Sequence, residues 1–314
     1  MNDSDPSRAT LTVGTRGSLL AKAQTQWVID RLTEAHPGLG VRMEIITTRG
    51  DREQTRPLPE IGGKGLFTEE LEQALRDGAI DLAVHSVKDL PTDVAEGLAV
   101  LAYPKRADAR DAWISADGVP FDQLPADSVV GTGSLRRQAQ LLRARPDLTF
   151  VQLRGNVDTR IRKVHEGQCA GAVLAMAGLE RSGLTEHVTH PFEPSTMLPA
   201  PGQGALGLQG RVDDERARSI LASIGDDATT IAVDCERAIL NALDAGCRAP
   251  VAIYATIEAG QLKCEAIVIE PTGRRFVSAQ AAASVGEPAK VVAEIVTALR
   301  KQGAGDIIES CRNG

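Results

Sequence analysis

Apolar and polar positions alternate along the first half of the chain with two periods, and the switching predicts βα units around a mostly parallel sheet. Residues 10–14 are a short apolar run that reads as a strand. From about Ser18 to Leu32 the apolar positions take helical spacing, with Leu20, Ala23, Trp27 and Leu32 on one side. Residues 41–47 alternate in the strand manner, and Gly62-Gly63-Lys64-Gly65 makes a flexible loop. Thr68 then caps a helix whose first turn holds Glu69 and Glu70, as the macrodipole prefers. Residues 80–85 read as a buried strand ending in Ser86-Val87-Lys88-Asp89-Leu90-Pro91.

A second block begins near Asp108. It holds a strand at 128–131, Ser134 as an N-cap with Leu135, Ala139 and Leu142 as a helical stripe, and a strand at 149–153. The helix after Asn156 turns Val157, Ile161 and Val164 inward, and 172–175 is another strand. Pro199-Ala200-Pro201-Gly202-Gln203-Gly204 reads as a stiff crossover back to the first block. A third block runs from about Thr229, with a long helix to Ala245, the turn Gly246-Cys247-Arg248-Ala249-Pro250, alternating strands at 251–257 and 262–269, and an amphipathic helix at 288–302. Val13-Gly14-Thr15-Arg16-Gly17-Ser18 and Val130-Gly131-Thr132-Gly133-Ser134 both sit at a strand-to-helix turn, an echo that fits two similar lobes facing each other across a cleft.

With 314 residues the chain has room for two or three domains, and 42% hydrophobic with 25% charged residues is ordinary for a soluble globular protein. No run of eighteen apolar residues occurs, and the opening MNDSDPSRAT is polar and acidic, unlike a secretory signal, so the expectation is a cytoplasmic protein away from membranes. Five widely spaced cysteines without a C-x-x-C pair read as thiols, not as disulfides or a zinc site. His187 and His190 have no acidic or thiol partner in register, so no metal is expected.

Charge changes the picture. Between Arg136 and Lys163, eight cations (Arg136, Arg137, Arg143, Arg145, Arg154, Arg160, Arg162, Lys163) oppose only Asp147 and Asp158, a formal +6 in a chain of −7, which leaves −13 for the rest. Arginine's planar fork suits bidentate capture of carboxylate or phosphate. Arg136 and Arg137 fall in a first helical turn, against a dipole that costs each about 0.3–1 kcal/mol, so an anion beside the helix amides explains them better than structure alone. Arg16, Lys88, Arg136, Arg137 and Arg154 all fall at the carboxyl ends of predicted strands, where open parallel sheets bind ligands. Arg143, Arg145, Arg162 and Lys163 read as solvated helix surface. Asp89 either caps a turn or works as a carboxylate in a cationic cleft. Cys247, in a tight turn beside Arg248, is either a buried inert thiol or a point of covalent attachment.

Seven motifs in order resemble the porphobilinogen deaminase (hydroxymethylbilane synthase) family. They are Arg16-x-Ser18-x-Leu20-Ala21, Gly62-Gly63-Lys64-Gly65-Leu66-Phe67, His85-Ser86-x-Lys88-Asp89-x-Pro91, Gly131-Thr132-x-Ser134-Leu135-Arg136-Arg137, Leu153-Arg154-Gly155-Asn156-Val157-x-Thr159-Arg160, Gly202-Gln203-Gly204 and Gly246-Cys247-x-x-Pro250. The resemblance runs from about Thr10 to the C-terminus and is densest up to Pro250. It implies an α/β fold of two periplasmic-binding-protein-like lobes flanking a cleft, 10–105 with 203–224 and 106–202, plus a smaller third domain with an antiparallel sheet at 228–310. It implies an enzyme, a monomer, that joins four porphobilinogens head to tail into hydroxymethylbilane and releases ammonia, in tetrapyrrole biosynthesis. Its cofactor would be a dipyrromethane primer held by a thioether to Cys247.

The resemblance makes Asp89 the catalytic carboxylate. Cofactor contacts would come from Lys88, Ser134, Arg136, Arg137, Arg160 and Arg181, and substrate contacts from Arg16, Ser18, Arg154, Gln203, Lys64 and Phe67. Glu60 stands where some members carry a lysine, and Ala245-Gly246-Cys247 stands where two glycines are expected. The charged loop 51–65 is expected to be a mobile lid. A non-catalytic two-lobe anion-binding protein would leave Cys247 and Asp89 idle. A nucleic-acid binder is disfavoured by the net −7 and by 3% aromatic content.

Overall fold

In a computed structural model the described residues are 10–52, 68–245 and 249–313. Lys64, Phe67 and Cys247 lie outside them, as does most of the expected lid. The chain forms two compact units, 1–106 with 205–230 and 107–204 with 231–314. Among the described residues no helix is long and apolar enough to cross a membrane.

The first unit is built on a five-stranded sheet. Strands β1 (Thr10–Thr15), β2 (Gly40–Ile45) and β3 (Leu82–Ser86) are parallel, while β10 (Leu206–Arg211) runs antiparallel between β3 and β4 (Leu98–Ala102). The order is therefore β2-β1-β3-β10-β4. Leu11, Val13, Leu82, Val84, Leu206 and Leu208 bury one sheet face against Val28 and Leu32 of the Leu19–Ala35 helix. That helix lies elsewhere on its axis than its apolar stripe predicts: Gln24, Thr25, Val28 and Leu32 are buried and Trp27 is 37% exposed. The reason is a polar contact, since Gln24 Nε2 donates to Ser86 Oγ at the end of β3 (3.0 Å). Thr68 precedes the Glu69–Arg76 helix as expected, but its hydroxyl makes no capping bond.

The second unit repeats the plan. β5 (Asp111–Ser115), β6 (Val129–Gly131), β7 (Thr149–Val151), β8 (Gly171–Ala175) and β9 (His190–Pro191) are ordered β7-β6-β8-β5-β9, with β6, β7 and β8 parallel and β5 antiparallel to its neighbours. In each sheet the antiparallel strand is the first after the chain changes unit, β5 on leaving the first and β10 on returning. Both sheets are therefore mixed, with one antiparallel strand set among parallel ones. The sequence echo marks equivalent places in them. A Cβ on Gly14 would stand 2.4 Å from Ile80, and one on Gly131 2.8 Å from Cys169, so β1 and β6 both need close approach. Ser18 and Ser134 then cap the following helices through their hydroxyls.

Within the same second unit, β11 (Val251–Glu258), β12 (Gln261–Ile269) and β13 (Phe276–Ser284) form an antiparallel sheet. One face packs on the helices Asp227–Leu243, Pro288–Lys301 and Ala304–Asn313 through Ile239, Leu262, Val291, Ile295, Leu299 and Ile307. Its other face sets Ala252, Ile267 and Ile269 against Ala139 and Leu198.

Candidate active site

In the first unit the site residues leave the carboxyl ends of adjacent parallel strands. β1 pairs with β3 from Val13 to Leu82, so Arg16 after one and Lys88-Asp89 after the other emerge along one sheet edge. Ser18 holds its helix start by accepting Ala21 N–H (3.2 Å). Lys88 and Asp89 are exposed on the 3-10 turn Val87–Asp89, whose first amide is tied to Ala205 O (3.1 Å) and whose end is closed by Leu90 N–H on Val87 O (3.0 Å).

Arg16 is forked onto Asp51, with Nη2 2.6 Å from Oδ1 and Nε 3.3 Å from Oδ2. Thr48 Oγ1 also donates to Asp51 (2.8 Å). Burial works to raise the Asp51 pKa, but these bonds outweigh it and hold the carboxyl below its ordinary value. His85 is buried with Nε2 3.0 Å from Gln209 Oε1, and burial pulls its pKa down to about 4, so at neutral pH it is an uncharged part of the wall.

The second unit collects cations at the same kind of edge. Ser134 Oγ accepts Arg137 N–H at 3.5 Å and starts the Leu135–Ala144 helix. Arg136 and Arg137 follow, 7% and 6% exposed, and both are ion-paired to Asp111 at 2.8 Å. The expectation gave them an external anion against the dipole. An internal one is already there, and Asp111, invisible to the local reading, is fully buried at the start of β5. Burial alone would raise its pKa, but the two guanidiniums overcome that and hold it at about 2. The expected stripe shifts accordingly: Leu135 is 39% exposed, while Arg136, Arg137, Ala139, Gln140 and Leu141 are buried.

Gln203, expected to touch substrate, is 1% exposed and gives its amide to Asp111 Oδ1 (2.9 Å) and Ala109 O (2.7 Å). Arg154 is half-buried beyond β7, and Arg160 Nε donates to Gly155 O (2.8 Å). Arg181 Nη2 donates to Gly204 O (2.8 Å), and burial lowers its pKa to about 10, which leaves it charged at neutral pH.

The cations read as solvated surface divide differently. Arg162 is exposed, with only a 3.5 Å contact to Glu166. Arg143 lies over the Phe276 ring, 3.7 Å from its centroid. Arg145 pairs with Asp147 (2.6 Å) and donates to Leu124 O (2.8 Å), and Lys163 Nζ donates to Arg154 O (3.1 Å). Arg143 and Arg162 are exposed as expected, while Arg145 and Lys163 tie loops to their helices. Among the described residues no group of three or more His, Cys, Asp or Glu could hold a metal.

Two family models cover most of the chain: "Porphobilinogen deaminase, dipyromethane cofactor binding domain" over residues 11–219 and "Porphobilinogen deaminase, C-terminal domain" over 230–301. The chain belongs to the porphobilinogen deaminase family. The curated porphobilinogen deaminase of Desulforudis audaxviator is 47% identical over 98% of this chain and 99% of its own, and that of Syntrophotalea carbinolica 45% over 96% of each. The solved methionine binding protein MetQ covers 71% of this chain and 92% of its own at 15% identity, with a TM-score of 0.45. The family model matched over residues 11–219 is named for a dipyrromethane cofactor, and it spans the Ser134 helix start of the second unit. Arg136 and Arg137 pair there with one buried acid, Asp111, behind the Ser134 helix start.

Proposed function

We propose that this chain polymerises four porphobilinogen molecules head to tail into hydroxymethylbilane, releasing four ammonia molecules, on a dipyrromethane primer bound by a thioether to Cys247. The observation that carries this reading is the order of the seven motifs within two family models that together span residues 11–219 and 230–301. When bound, the dipyrromethane supplies the pyrrole carbon from which the chain grows.

Ser134, Arg136, Arg137, Arg160, Arg181 and Lys88 hold its carboxylates, while Arg16, Ser18, Arg154, Lys64 and Phe67 receive the incoming porphobilinogen, and Gln203, buried with its amide on Asp111, stands behind them. Asp89 is the catalytic carboxylate. It stabilises the cation left when ammonia departs and accepts or returns protons at the pyrrole. Its exposed position on a turn with a fixed backbone suits a group that must reach substrate.

The domain division proposed is 10–105 with 203–224, 106–202, and 228–310, the last carrying Cys247. The protein works as a cytoplasmic monomer with no nucleic-acid or membrane partner. Incubation with porphobilinogen tests the reaction: one ammonia released per porphobilinogen consumed, with a linear bilane as product, is the expected result. No consumption by the purified full chain would defeat it.

A further inference from the structure

Arg136 and Arg137 stand where a helix dipole opposes them, and the residues that keep them there take no part in the reaction as described. The Asp111 carboxylate, with no exposed surface, is shared between the two. Its Oδ1 takes Arg137 through Nε at 2.9 Å and Nη2 at 2.8 Å, while Oδ2 meets Arg136 Nη1 at 2.8 Å as an ion pair. Gln203 Nε2 adds a third grip on Oδ1 at 2.9 Å. Each guanidinium is also tied to main chain, Arg136 Nη1 to Leu198 O (2.7 Å) and Arg137 Nη1 to Val173 O (2.9 Å).

The segment that carries Gln203 is itself pinned. Gly202 N–H donates to the buried Glu236 carboxylate at 2.6 Å, and the other oxygen of Glu236 takes Ala255 N–H at 2.8 Å. Gly204 has φ +87, and a Cβ there would stand 2.7 Å from Ala107 O. The turn therefore has one way to sit, with Gln203 aimed at Asp111.

Two buried cations and one buried anion leave a net +1. Without Asp111 the pair would be two adjacent desolvated cations, an arrangement strongly unfavourable unless compensated. We propose that Asp111, held by Gln203, is a positioning residue of the arginine pair. It fixes both guanidiniums and cancels one charge, so that the pair accepts a single monocarboxylate and discriminates against dianions. The inference rests on the reading that this pair binds ligand carboxylates.

Calorimetric titration of the full chain purified before dipyrromethane is attached, which leaves the pair's ligand face open, with inorganic phosphate at mildly alkaline pH, where phosphate is a dianion, reads the charge without turnover. Porphobilinogen kinetics read the aim. Asp111→Asn leaves the pair at +2, so phosphate should bind at least about fivefold more tightly while KM for porphobilinogen rises about tenfold. Combining Asp111→Asn with Arg137→Gln restores +1 and should return phosphate affinity to within about twofold of wild type.

A merely structural role would lower the active fraction and leave phosphate affinity unmoved. Phosphate binding by Asp111→Asn no tighter than by wild type overturns the proposal. If Asp111→Asn does not fold, Gln203→Leu decides, because it keeps all three charges and removes one grip. A KM raised by about threefold or more with kcat per adduct-bearing molecule unchanged supports the proposal, and an unchanged KM overturns it. A wild-type protein that leaves porphobilinogen unconsumed defeats the enzymatic reading instead, and the phosphate comparison still decides this one.

Discussion

His85 stands inside the motif that carries Lys88 and Asp89, yet it makes the folded protein acid-sensitive without acting in the chemistry. Its ring is 6% exposed, Nε2 lies 3.0 Å from Gln209 Oε1, and Gln209 Nε2 in turn donates to Glu72 Oε1 (3.2 Å). Burial pulls its pKa from 6.5 to about 4, with the Gln209 bond working the other way. As pH falls, the unfolded chain protonates this imidazole near its ordinary value and the folded chain only near the lowered one. Between the two the unfolded state holds more protons, so stability declines with acidification and the loss is complete below the folded value.

At about 1.4 kcal/mol per pH unit, the penalty reaches about 2 kcal/mol at pH 5 and about 3 kcal/mol below pH 4. Urea unfolding of wild type and His85→Gln across this range isolates the term, because the glutamine keeps a polar partner for Gln209 and cannot titrate. The stability difference between the two should move by about 2 kcal/mol in favour of the variant from pH 7 to pH 5. A difference constant to within about 0.5 kcal/mol over that range would mean that His85 is not held neutral by burial.

Other outcomes follow from single residues. Gly171→Ala would set a Cβ 2.2 Å from Trp113 Cζ2 and 2.6 Å from the Ile114 carbonyl, so it should lose more than about 2 kcal/mol in thermal unfolding. A wild-type Tm would contradict that packing. Arg143→Ala removes the contact with Phe276 and should cost about 0.5–1 kcal/mol with KM unaltered; a raised KM would make Arg143 a ligand contact instead. Asp89→Ala, at an exposed position, should keep the fold and the pyrrole adduct while abolishing turnover, and retained turnover would remove Asp89 from catalysis.

The sequence disclosed the site most clearly where local rules suffice. A short apolar strand followed by a capping serine marks the two equivalent junctions at Ser18 and Ser134, and both hydroxyls cap. Legibility failed where a polar residue is buried for a distant partner. Gln24 turns its helix toward Ser86, and Arg136 and Arg137 pull the next one inward toward Asp111, so apolar stripes misjudged both faces. The counter-ions were hidden for the same reason. Asp111 lies 26 residues from Arg137 and Asp51 lies 35 from Arg16, separations at which no periodicity connects them. β13 is alanine-rich and lacks the β-branched run that marks a strand, and it takes its place by pairing along the full length of β12.

Intact mass spectrometry of the purified full chain, before and after a limiting addition of porphobilinogen, tests the central claim most directly. The expected starting mass exceeds that of the sequence by a two-pyrrole adduct, mapped by peptide analysis to Cys247. On addition new masses should appear, each spaced by one porphobilinogen less one ammonia. A starting mass equal to that of the sequence, with no mass change on addition, would contradict it.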